Sequence, residues 1–260
     1  MSKILITGTS KGIGYDAALC LARNGHEVVA TMRNPNNSDL SEVASKESLN
    51  IDIQALDVDD IDSVKEVFDK VGAIDVLINN AGILTETGKK SVQGNELHLE
   101  INALSPYLLT QELKPLLLNA ADAKVISTGT DRMHSRKLDI APLMGISKKR
   151  ALVTYYQSKQ AMMMLMNDMA ASWDGVDFLT VNPGPNKTGM TTSSDAPAIL
   201  KFLSRFFPDP SVGSKLIYNA GFSSKFADSN AVYITGNKVA PIKSCMTAQE
   251  KQTLLAEIKS

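Results

Sequence analysis

Lys3-Ile4-Leu5-Ile6-Thr7-Gly8-Thr9-Ser10-Lys11-Gly12-Ile13-Gly14 joins a short aliphatic run to a glycine-studded turn, and Ala17-Ala18-Leu19-Cys20-Leu21-Ala22 follows at helical spacing. The aliphatic run reads as a strand and the alanine-leucine stretch as a helix. Glycines between a strand and a helix let the backbone approach a pyrophosphate, whose charge is favoured by the amides and dipole at the helix N-terminus. A glycine cluster alone marks only a tight turn; the strand before it and the helix after it give this one its meaning. Gly8, Ser10, Lys11, Gly12, Ile13 and Gly14 are thus the expected phosphate loop of a dinucleotide site.

Beyond this loop, aliphatic or β-branched runs recur between helix-length segments: Glu27 to Thr31, Ile51 to Leu56, Val76 to Ile78, Lys124 to Ser127, Asp177 to Val181 and Val232 to Ile234. Strands alternating with helices imply βαβ units and a parallel sheet, and right-handed crossovers place helices on both faces. The expected fold is α/β: a single doubly wound Rossmann-type domain over residues 1–260, with a parallel seven-stranded sheet. No internal repeat or Pro/Ser-rich linker marks a domain boundary. Around 190–210, Thr-Thr-Ser-Ser-Asp precedes the apolar run Ala198 to Leu203. That segment suits a substrate lid with a short amphipathic helix, and equally an ordinary surface helix packed on the sheet.

Composition narrows the functional classes. The 260 residues carry a formal charge of −1, which argues against nucleic-acid binding, and the basic runs Arg136-Lys137 and Lys148-Lys149-Arg150 read as solvated surface. Cys20 and Cys245 are too few for a disulfide framework, and His26, His98 and His134 have no metal-ligand spacing, so no metal is expected. The strand-like run begins within a few residues of Met1, and no apolar stretch has the length of a membrane span. These features predict a cytoplasmic protein.

Two positions bear on the choice of cofactor. At the end of the second strand, where an NAD site carries an acid for the ribose hydroxyls, this chain has Met32 and Arg33. Arg33 together with Lys11 suits a 2′-phosphate, so NADP(H) is the expected cofactor. In the chain's later half, Tyr155-Tyr156-Gln157-Ser158-Lys159 puts a phenol and an ammonium at i and i+4 on one helix face. A neighbouring cation favours the phenolate and lowers its pKa, which suits a general acid or base. Tyr156 stands at i−3 from the same lysine, and helix spacing does not choose between the two tyrosines.

These segments together resemble the short-chain dehydrogenase/reductase family over nearly the whole chain. Thr7-Gly8-x3-Gly12-x-Gly14 is similar to its glycine motif, Asp57-Val58 to its adenine-contacting pair, and Asn79-Asn80-Ala81-Gly82 to the segment after its fourth strand. Asn102 falls on the family's catalytic asparagine, and Tyr155-x3-Lys159 on its catalytic pair. Pro183-Gly184, with Asn186 and Thr188 after it, resembles the turn that meets the nicotinamide. The resemblance selects Tyr155 over Tyr156, which is left to packing. It implies that Tyr155 exchanges a proton with the substrate oxygen, that Lys159 lowers the Tyr155 pKa and bonds the nicotinamide ribose, and that Asn102 holds a water linking Lys159 to solvent. Hydride then passes between nicotinamide and a carbonyl or carbinol carbon.

The chain departs from the family pattern at two places. The serine expected at the end of the fifth strand is replaced by Thr130, whose hydroxyl can still donate while its methyl crowds the pocket. Ser127, three residues earlier on a strand, falls on the opposite face. Asn186 stands where the family has an aliphatic residue, adding a hydrogen-bonding group near the nicotinamide. The interval from Thr130 to Tyr155, containing Arg132, His134, Arg136 and Lys137, is longer than the common spacing and is similar to the retinol-dehydrogenase-like branch, which implies a lipophilic carbonyl or alcohol substrate. The methionine-rich run Ala161 to Met169 suits a partner interface, and the resemblance implies a homodimer or homotetramer through that helix. The competing function is a catalytically impaired NADP(H)-binding sensor or scaffold, with Thr130 as the mark of lost turnover.

Overall fold

The computed structural model describes residues 1–130, 137–146, 149–192, 198–243 and 245–258. Arg132, His134, Arg136, Lys148 and residues 193–197 of the expected lid lie outside the described residues. Eight strands form one sheet in the order β3-β2-β1-β4-β5-β6-β7-β8: β1 Lys3–Thr7, β2 Glu27–Met32, β3 Ile51–Ala55, β4 Val76–Asn79, β5 Ala123–Thr128, β6 Val176–Asn182, β7 Val232–Thr235 and β8 Lys238–Pro241. The first seven pair in parallel and fall on the seven runs read from the sequence. β8 is an addition to the expected seven, antiparallel to β7 across the two-residue turn Gly236-Asn237, with Gly236 at φ +55°. Gly-Asn between two short runs is itself a hairpin signal. The strand is short, mostly exposed at the sheet edge and closed by Pro241, so it lacks the buried aliphatic run of the others.

Strand alternation explains the two-faced core. In register, Leu5, Val29, Leu77, Val125 and Phe178 point to one face, while Ile4, Ile6, Val28, Ile78, Ile126 and Leu179 point to the other. The α-helices are α1 Ile13–Arg23, α2 Leu40–Lys46, α3 Ile61–Val71, α4 Leu97–Leu99, α5 Ser105–Glu112, α6 Lys114–Leu118, α7 Ala151–Ala170, α8 Gly189–Thr192, α9 Ala198–Leu203, α10 Pro210–Phe222 and α11 Ala248–Leu255; α3, α5 and α7 cover the first face, α1 and α10 the second. Burial on both faces is why these strands read as continuous apolar runs. Strand order reverses between β1 and β4, and a crevice for ligands opens beyond the C-terminal ends of strands at such a switch point.

α7 carries the methionine-rich run, and from Ser158 to Met166 every residue is buried. The enclosure comes from this chain itself. Met163, Met164 and Tyr233 pack against Ile242, Cys245 and Met246, and the Cys245 amide reaches Met164 Sδ at 3.4 Å. Lys251, on α11 (Ala248–Leu255), pairs with Asp168 of α7 at 2.9 Å. The part of the run around Met163 and Met164, offered to a partner subunit on sequence grounds, is thus covered by Ile242, Cys245 and Met246 of the same chain.

Candidate active site

Beyond β1 the chain turns through Gly8 and Gly12, both at positive φ (+74° and +70°), into α1. A Cβ on Gly8 would stand 2.8 Å from Ala81 Cα, and one on Gly14 would stand 2.3 Å from the Gly8 carbonyl oxygen and 2.4 Å from Asn80 Nδ2. Only glycine fits either place. The turn after β4 is drawn in by Thr7, whose hydroxyl accepts from the amides of Asn80 (3.1 Å) and Ala81 (3.0 Å), while Asn80 Nδ2 donates to the Thr7 carbonyl at 2.8 Å. α1 starts at Gly12 with no side-chain cap on its first amides. Uncapped amides at a helix start, beside a cradle that any Cβ would fill, fit a dinucleotide pyrophosphate.

These turns form one wall of a cavity of about 620 Å³. All the sequence-expected cofactor residues line it: Gly8, Ser10, Lys11, Gly12, Ile13, Gly14, Arg33, Asp57, Val58, Asn80, Ala81, Gly82, Pro183, Gly184, Asn186 and Thr188. Thr130, Tyr155 and Lys159 line it too. Ser127 does not; it is buried in β5, in keeping with the strand-face argument that favoured Thr130. Tyr156, read as packing, also borders the cavity, its ring 5.7 Å from that of Tyr155.

Asn102 is the expected site residue that the structure does not bring to the cavity surface; it lies fully buried behind the wall. It sits in a π-helical turn, Glu100–Leu104, an irregularity frequent at functional sites. Its Oδ1 accepts from the Ile83 amide at 2.8 Å, and its Nδ2 donates to the Ile83 carbonyl (2.9 Å) and to Ser158 Oγ (3.0 Å). A Cβ placed on Gly82 would be 3.1 Å from Asn102 Oδ1 and 3.3 Å from Lys159 Nζ, so the absence of a side chain at 82 leaves room for both groups beside it.

The electrostatics differ from the expectation at Tyr155. Burial, reinforced by Tyr156, pushes the Tyr155 phenol well above its ordinary value, whereas the sequence reading had Lys159 lowering it. Burial also acts on Lys159 itself, lowering its ammonium pKa to about 8. Both shifts have one cause: a poorly solvated wall disfavours either charged form.

Two other expected residues take roles the sequence did not show. Asn186, expected to offer a hydrogen bond near the nicotinamide, donates Nδ2 to the Pro183 (2.8 Å) and Gly184 (2.9 Å) carbonyls and accepts from the Gly213 amide at 3.2 Å. It shapes the Pro-Gly turn from within. Lys11 lies by the wall opposite its loop, since a Cβ on Gly189 would stand 3.0 Å from Lys11 Nζ. Arg33 is exposed at the cavity edge where β2 ends; burial raises the pKa of the nearby Asp59 carboxyl, and Arg33 offsets only part of that rise. Sequence reasoning missed Asn182, whose Oδ1 accepts from the Gly184 amide at 2.9 Å, and Leu152, Met190 and Phe207, which give part of the cavity an apolar lining. Among the described residues there is no cluster suited to a metal ion and no helix long and apolar enough to cross a membrane.

The comparisons with known proteins agree with this geometry. The family described as short chain dehydrogenase matches residues 2–198. The chain is 30% identical to the dehydrogenase/reductase SDR family member FEY of Arabidopsis thaliana over 224 residues, covering 78% of this chain and 59% of that protein, less than two thirds of its length. It is 26% identical to retinol dehydrogenase 12 of Mus musculus, covering 96% of this chain and 82% of that one. Among solved structures, a short chain dehydrogenase from Burkholderia cenocepacia in complex with NADP superposes with a TM-score of 0.72 at 20% identity, over 90% of this chain and 95% of that one. Glycine loop, switch-point cavity and family match converge: the chain belongs to the short-chain dehydrogenase/reductase family, with the fold of a nicotinamide-dependent oxidoreductase.

Proposed function

We propose that the protein is an NADP(H)-dependent oxidoreductase acting on a carbonyl or alcohol, with Tyr155 as its general acid and base. The observation that carries this reading is that Tyr155, Lys159 and Thr130 share one cavity with the Gly8–Gly14 loop and the Asn80–Gly82 turn. The glycine cradle and uncapped α1 amides fit the pyrophosphate, Asp57 and Val58 the adenine, and Pro183, Gly184 and Thr188 the nicotinamide end. When bound, the nicotinamide supplies or accepts the hydride.

The chain's own residues have separable tasks. Tyr155 holds the proton at its phenol oxygen; a raised pKa keeps it protonated at neutral pH, the state required to donate to a carbonyl oxygen. Thr130 supplies a second hydroxyl to orient that oxygen, and Lys159 would hold the ribose of a bound cofactor. Once an anionic or hydrogen-bonding group faces Lys159, its charged form is favoured again, and that cation in turn favours the Tyr155 phenolate.

The preference for NADP(H) is supported by Met32 and Arg33 at the end of β2, the place where an NAD site carries its ribose-binding acid, and by the NADP in the Burkholderia structure. Lys11, directed toward Gly189, reinforces positive charge along the same cavity. Leu152, Met190 and Phe207 support a lipophilic substrate. NADPH oxidation measured over a panel of aldehydes, ketones and quinones tests the proposal. Turnover on a lipophilic member supports it; tight NADPH binding with no turnover on any member contradicts it and favours a sensor.

A further inference from the structure

His98 is fully buried, one helical turn before Asn102, and both side chains reach the same stretch of cavity wall. Asn102 pairs with both the amide and the carbonyl of Ile83, while His98 Nε2 lies 3.2 Å from the amide nitrogen of Thr85. A backbone N–H can only donate, so this bond requires an unprotonated Nε2. The ring's proton then sits on Nδ1, which is 2.8 Å from Glu96 Oε1. Glu96 is fixed in its turn: its Oε2 accepts from the amides of His98 (2.8 Å) and Leu99 (3.1 Å), capping the start of the helical segment. Ile83, the first attachment point, and Leu84, between it and Thr85, line the cavity.

We propose that Glu96 and His98 are positioning residues of this active site, acting with Asn102 as a two-point clamp on the wall at residues 83–85. The carboxylate selects the Nδ1–H tautomer, the tautomer presents a bare Nε2, and the bare nitrogen holds the Thr85 amide. Neither residue touches the cavity; both act through the backbone that does. The inference builds on the nicotinamide reading of the cavity, but its first readout is independent of cofactor and turnover.

Long-range proton–nitrogen NMR of the free protein reports the His98 tautomer, and the expected result is a protonated Nδ1 with a bare Nε2. Two substitutions then separate the ring's two roles by reach. His98→Gln keeps an acceptor near the Nε2 place, whereas His98→Asn keeps only a donor near the Nδ1 place. The dissociation constant for NADPH, measured without turnover, should rise about tenfold in His98→Asn, the size of one lost buried hydrogen bond, and much less in His98→Gln. A proton on Nε2, equal weakening by both variants, or no weakening by either overturns the clamp. If His98→Asn does not fold, the tautomer and the Gln variant still decide. Wild-type protein that binds NADPH but reduces no carbonyl removes the oxidoreductase reading and leaves the clamp standing.

Discussion

Asn102 Nδ2 donates to Ser158 Oγ at 3.0 Å, and that hydroxyl donates in turn to the Tyr155 carbonyl at 2.8 Å. The irregular helix behind the cavity is thereby tied to the helix that presents Tyr155 and Lys159. Ser158→Ala removes both bonds at a fully buried position. Stability should fall by about 1–3 kcal/mol, with a matching loss in kcat/KM as Asn102 loses its orientation. Denaturant midpoints and steady-state kinetics check this; unchanged values in both would detach Ser158 from the site.

Gly82 separates chemistry from stability. A Cβ there would press on Asn102 Oδ1 and Lys159 Nζ at 3.1 and 3.3 Å, tight contacts on two side chains rather than on backbone. Gly82→Ala should leave the protein folded, with a stability change of about 1 kcal/mol, while displacing Lys159 and reducing turnover about tenfold or more. Wild-type kinetics in this variant would show that the Lys159 position is not critical.

Lys159 should leave a pH signature in the ligand-free protein. Its folded-state pKa of about 8 lies below the ordinary 10.5, so between those values the unfolded chain holds the extra proton. Stability therefore rises with pH across that window, and the burial penalty is fully present below about 8. The increment is on the order of 3 kcal/mol. Denaturation of wild type and Lys159→Met at pH 7 and pH 9.5 isolates it: the variant is more stable at pH 7 and lacks the rise. Parallel curves would contradict the shift.

Arg33 is the test of cofactor choice. Arg33→Ala should weaken NADPH binding about ten- to a hundredfold, the range of a lost charge-assisted hydrogen bond, and leave NADH nearly unaffected. Titration of both cofactors against both proteins measures it. Equal affinity for NADH and NADPH in the unmutated protein would reverse the preference.

The sequence disclosed whatever is local. Strands buried on both faces appear as apolar runs, so Ile4–Ile6 through Val232–Ile234 were legible, and the glycine loop and Tyr155-x3-Lys159 carry their spacing with them. Contacts between distant segments were not legible. Nothing around Asn102 says that its amide closes on Ile83 and Ser158, and nothing around Met163 says that Cys245 and Met246 will cover it. The sign of the Tyr155 shift was misread for the same reason: spacing gives the neighbouring cation, but desolvation depends on walls that assemble only in the fold. β8 is not legible although Gly236-Asn237 announces a hairpin, because Lys238–Pro241 is short, exposed at the edge and ends in a proline.

The central claim is that Tyr155 moves the proton in a cavity that binds NADP(H). It is tested most directly by NADPH oxidation with a carbonyl substrate in wild type and Tyr155→Phe, alongside NADPH binding to both. The account predicts turnover in the wild type, a loss of about a hundredfold or more in the variant, and closely similar NADPH affinity in the two proteins. Turnover that survives in Tyr155→Phe would contradict it.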